Sequence, residues 1–165
     1  MSDNIKITTY IEPREELTSD DSDITTIVAS EVGKNLGGSV TIDVTDFSNT
    51  ASEQGYLNKT VNYLEAVDDV GTTDISSLAT AKFVFIKNTG FAFDSVTELG
   101  AALDKSLKVM IATTMISILP AGGHITLMNV NGGLNCTTIH VRTVDNDGSD
   151  NASAGHLAVL KLVTD

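Results

Sequence analysis

Three histidines, His124, His140 and His156, are the side chains of this sequence best suited to hold a metal ion or to move a proton near neutral pH. Metal centres usually announce themselves by a local pair such as His-x-His with a carboxylate nearby, because ligands must converge within a few ångströms. No such pair exists here, and the three fall on three different expected strands. They read as strand-edge or surface imidazoles. The segment Asp145-Asn146-Asp147-Gly148-Ser149-Asp150 offers hard oxygen ligands at alternating positions, as calcium loops do. Its twelfth position is His156, where an EF-hand loop has Glu. Asp147-Gly148 between two alternating segments is also a hairpin signal, and the turn is the favoured reading.

Nucleophiles find no support. There is no Gly-x-Ser-x-Gly, and Cys136, between Asn135 and Thr137, has no neighbouring base. It is expected to be a small buried thiol. Gly37-Gly38, Gly122-Gly123 and Gly132-Gly133 lack the lysine and the strand–helix setting of a phosphate loop and read as turns. Glu15-Glu16 and Asp68-Asp69 lie in polar segments where nothing would raise a carboxyl pKa for acid catalysis. The expectation is no enzyme, no catalytic residue, no cofactor and no metal.

The elements that would position these residues are strands. Period-two alternation marks residues 5–11, with Ile5, Ile7 and Thr9 on one face, and residues 39–47, with Val40, Ile42 and Val44 expected on the core face. Further strands are expected over 24–30, 60–67, 82–87, 91–99, 107–112, 115–119, 124–128, 137–144 and 156–163. Asn88-Thr89-Gly90 is read as closing one of them and Pro120-Ala121-Gly122-Gly123 as stopping another. Helix signals are thin: 95–105 has room for a turn or two, and 26–36 is ambiguous, but neither has a 3.6-residue stripe or a good cap. About ten short strands at this spacing predict an all-β fold, an antiparallel β-sandwich in jelly-roll or related Greek-key order. One sandwich domain over residues 24–165 is expected, led by an N-terminal arm over 1–23 that contains the acidic run Ser19-Asp20-Asp21-Ser22-Asp23.

Composition narrows the partners. In 165 residues, 10 Lys and Arg face 22 Asp and Glu, a net charge of −12. Such a surface repels nucleic-acid phosphates and anionic lipid, so neither is an expected partner. A protein offering basic or neutral patches is. Aromatics at 5%, with no Trp, argue against base-stacking or sugar-binding platforms. A single Cys precludes an internal disulfide, and Met1-Ser2-Asp3-Asn4 has neither a basic nor an apolar signal-peptide region. Synthesis in a reducing cytoplasm is expected. The Asn-x-Ser/Thr matches at Asn58, Asn135 and Asn151 are then chance.

Ala81-Lys82-Phe83-Val84-Phe85-Ile86-Lys87-Asn88-Thr89-Gly90, followed by Ile118-Leu119-Pro120-Ala121-Gly122-Gly123-His124 and a closing apolar strand, resembles small virion structural proteins of tailed bacteriophages of marine or cyanobacterial hosts. The resemblance spans about residues 81–165 and rests on structural motifs. It implies a capsid decoration (cement) protein, often trimeric, on the outer capsid surface, with the major capsid protein and its own copies as partners. Residues 1–23 and the loops would make the contacts. Other readings are a tail or fibre subunit, which would form an elongated oligomer, and a carbohydrate-binding jelly-roll module. Gly122-Gly123-His124 is also similar to the opening of the cupin metal motif, but Thr126 stands where the second His belongs and the Glu is missing.

Overall fold

The computed structural model of the chain describes residues 3–9, 38–44, 62–67, 71–76, 79–96, 98–129, 131–150 and 155–164. The expected strand over 24–30, most of the expected arm, and the Glu15-Glu16 and Asp68-Asp69 pairs lie outside them. The chain divides into two compact units, residues 4–43 and residues 1–3 with 44–165.

In the first unit, β1 (Asp3–Thr9) and β2 (Gly38–Val44) make a two-stranded sheet. Ile42 is buried, but Val40, expected on the same core face, is 43% exposed.

The second unit is a β-sandwich. Its strands are β3 (Asn62–Ala66), β4 (Thr73–Asp74), β5 (Phe83–Phe93), β6 (Leu99–Ala102), β7 (Ser106–Ile111), β8 (Thr114–Leu119), β9 (His124–Met128), β10 (Ile139–Val144) and β11 (Leu157–Thr164). One sheet has the order β4-β10-β7-β8, and the other β3-β11-β5-β6, with β9 also on β5. All registered pairings of the sandwich are antiparallel. The chain changes sheet after β3, β4, β6, β8, β9 and β10, so most neighbours in sequence face each other across the core.

Alternation explains the core. Leu107, Val109, Leu119, Ile139 and Val141 from one sheet meet Ala66, Val84, Ile86, Leu157, Val159 and Val163 from the other. Each such Val, Leu or Ile contributes about 1.5–3 kcal/mol relative to an exposed position.

Three elements depart from the sequence expectations. Asn88-Thr89-Gly90 does not end a strand: β5 runs through it for 11 residues. The expected strand over 91–99 is divided, its first part belonging to β5 and its end to β6. β6 also occupies part of the 95–105 window that had room for helix, because Phe91 and Phe93 of β5 offer Ala102 and Leu99 a ladder to pair with. The polar stretch after β3 hides β4, paired through Thr73 and Asp74 to Val141 and His140, and then fully buried Ile75.

Candidate functional site

The sheets are joined through the core by polar side chains as well as by apolar packing. Asn88, on the inner row of β5, is fully buried. Its Nδ2 donates to Lys105 O and Leu119 O, both at 3.0 Å, and its Oδ1 accepts from Gly90 N at 2.9 Å. Its backbone N donates to Gly123 O and its carbonyl accepts from Gly122 N, each at 2.9 Å. Thr143 on β10 donates from Oγ1 to Ala66 O at 2.7 Å, reaching the opposite sheet at β3. Lys161, on the inner row of β11, carries its ammonium to Ile75 O at 2.8 Å. Each group is buried and satisfied by a backbone carbonyl, which is the condition for tolerating a polar atom there.

Around Asn88 the backbone is irregular for a reason. Asn88 pairs with Val159 and Ala92 with Leu157, so Thr89, Gly90 and Phe91 stand opposite Ala158 alone. Thr89 Oγ1 donates to Ala158 O at 2.6 Å and accepts from Phe91 N at 3.2 Å, closing the bulge. Gly90 takes φ +78°, and a Cβ there would lie 3.0 Å from Ala121 Cβ. The bulge changes the partner on one edge of β5: β9 pairs with residues 83–87 and β6 with Phe91 and Phe93. The two segments singled out in the sequence, 81–90 and 118–124, therefore form one interlocked structure.

The acidic segment is a turn, held by Gly148 N to Asp145 O at 2.8 Å and Asp145 N to Ser149 O at 3.1 Å. It is not a hairpin, since β10 and β11 on either side belong to different sheets. Two of its three carboxylates, Asp145 and Asp150, pair with cations. Asp145 pairs with Lys105. Asp150 takes Lys108 Nζ at 2.9 Å and an Arg142 amino group at 2.5 Å. Lys108 and Arg142 are direct cross-strand partners, so Asp150 relieves a like-charge pair. The Lys108 hydrogen bond, with Arg142 beside it, holds the Asp150 carboxyl below the usual range; the Ser149 N–H does the same for Asp147. Asn146 accepts from Ser106 Oγ at 3.0 Å and donates to Asp104 at 2.7 Å.

The histidines stay apart. His124 opens β9 opposite Lys87, with its ring 5.7 Å from that of Phe85. His140 on β10 meets Asp74 at 2.6 Å, and His156 meets Glu65 just before β11. Among the described residues no group of three or more His, Cys, Asp or Glu is placed to share a metal ion. Cys136 sits in a short 3-10 turn (Cys136–Thr138), buried, its Sγ 3.6 Å from Leu134 O. Burial pushes its thiol pKa up, opposed in part by the Lys161 charge.

Thr143 and Lys161 were not singled out from sequence. For Thr143 a signal exists, its register with Ile139 and Val141 on an inward-facing row. For Lys161 the same register holds with Leu157, Val159 and Val163, but the apolar Leu160 and Leu162 beside it blur the alternation. Compared with protein-family models, curated proteins and solved structures, the chain matches none of them.

Proposed function

We propose that this chain is a virion structural protein of a tailed bacteriophage, a capsid decoration protein that binds the outer shell and reinforces the joints between major capsid subunits. The observation that carries the reading is the interlock at Asn88. The two motifs behind the resemblance are about thirty residues apart in sequence, yet they join through Asn88, Leu119, Gly122 and Gly123 into one brace between the sheets. The similarity therefore concerns the frame of the molecule. A second support is that the polar residues described above serve strand pairing and sheet bracing, as suits a protein whose work is to adhere and hold.

In this role the subunit binds only the assembled shell, so its binding free energy adds to that of the shell by mass action. Trimers at three-fold positions would multiply each weak contact. The net charge of −12 keeps free subunits soluble and favours a basic or neutral docking surface. The test adds purified protein to capsids that lack it. Saturable binding and a higher disruption temperature are expected; absence of saturable binding rejects the reading.

A further inference from the structure

The charges of this chain are unevenly distributed. From Val109 to Val141 there is no Asp, Glu, Lys or Arg, although at the overall 19% charged content that stretch would carry about six. The stretch includes all of β8 and β9, with the end of β7 and the start of β10. β8 is the last strand of its sheet and β9 lies on the outer side of β5 in the other, and the 120–123 turn links them. Among the described residues no strand covers the outer side of β8.

The exposed side chains of these two strands are uncharged Thr114 and His124 and three large apolar residues. Met115 and Ile116 on β8 and Met128 on β9 are 52%, 42% and 47% exposed. All three lie towards the ends of their strands that are farther from the 120–123 turn. An uncovered strand in a monomer is normally guarded by charge, and here charge is missing. What β8 does have is a bulge. Val109 pairs with Ser117 and Met110 with Met115, leaving Ile116 as the extra residue. The bulge interrupts the ladder, so another strand cannot simply be added along β8, while Met115 and Ile116 are both left facing out.

We propose that this charge-free edge is where copies of this chain associate, through packing of Met115, Ile116 and Met128 between subunits rather than through a continued sheet. The occupant follows from electrostatics. Two chains of net charge −12 repel over most of their surfaces, and the side without charges is where they approach at least cost. A basic partner would gain nothing from this side and would bind better elsewhere. Self-association here deepens the assembly reading above but can fail separately, because it is measured on purified protein without capsids.

The experiment is light scattering and sedimentation equilibrium on the full chain, across protein and salt concentrations. A mass that is a small multiple of 17.4 kDa is expected. Higher salt should tighten the association, since it screens repulsion between acidic subunits and an apolar contact has no ion pairs to lose. Ile116→Glu and Met128→Glu should each weaken association at least tenfold with an unchanged β-sheet circular dichroism spectrum. Val96→Glu, at an exposed position outside the stretch, should leave it intact. Having two edge variants guards against one that fails to fold. A wild-type monomer at tens of micromolar, a multimer that survives both edge substitutions, or one that dissociates as salt rises would each overturn the proposal. If copies associate but do not bind capsids, only the decoration reading falls.

Discussion

Asn88 shows how much one side chain can organise. Its amide donates to two carbonyls, Lys105 O and Leu119 O, and its own carbonyl satisfies Gly90 N. Asn88→Ala would leave these groups without that partner in the interior. The expected loss is about 2–4 kcal/mol of unfolding free energy, read from urea denaturation. Asn88→Asp should be no better, since an ionised carboxylate cannot donate to either carbonyl. In the sequence the residue stood out as part of the 81–90 segment and as Asn-Thr-Gly punctuation, not as a buried brace, because polar residues beside Gly usually end strands. Its burial depends on what lies opposite, and that information is far away in the chain.

At the level of elements, the β7–β8 hairpin carries its own test. Ile111 pairs with Thr114, leaving Ala112 and Thr113 as a two-residue loop. Ala112 has φ 52°, the only positive value among the described non-glycine residues. Glycine is the usual occupant of such a position, and a Cβ there is strained. Ala112→Gly is expected to stabilise the protein by about 0.5–1 kcal/mol, measured as a rise in the urea midpoint with an unchanged m-value. The strand locations were readable from alternation, and the 120–123 turn from its Pro and Gly. The course of β5 through its bulge was not, nor was β4, whose two paired residues are too few to show a period.

For the whole molecule, Cys136 reports the closure of the sandwich. The thiol is buried and its pKa is raised by burial, so modification requires opening of the structure. Thiol reagents at mildly alkaline pH should label the native chain far more slowly than the urea-unfolded chain. The raised pKa also sets the sign of a pH effect. Above the ordinary thiol value the unfolded chain releases a proton that the folded chain keeps, so stability falls as pH rises from there through the raised folded value. Cys136→Ala should flatten this alkaline slope; an equally steep slope in that variant would count against the buried-thiol account.

Period-two alternation requires only neighbouring side chains, so the all-β class and most strand positions could be read along the chain before any fold was known. Net charge and the single cysteine were equally plain. Which strands share a sheet, and whether a polar residue on an inner row finds a partner, are settled by segments distant in sequence. Thr143 reaches Ala66 O and Lys161 reaches Ile75 O, 77 and 86 residues away. A lysine inside an apolar strand pattern is tolerable only once a carbonyl from the opposite layer is held there to receive it, and nothing in the neighbouring sequence can specify that.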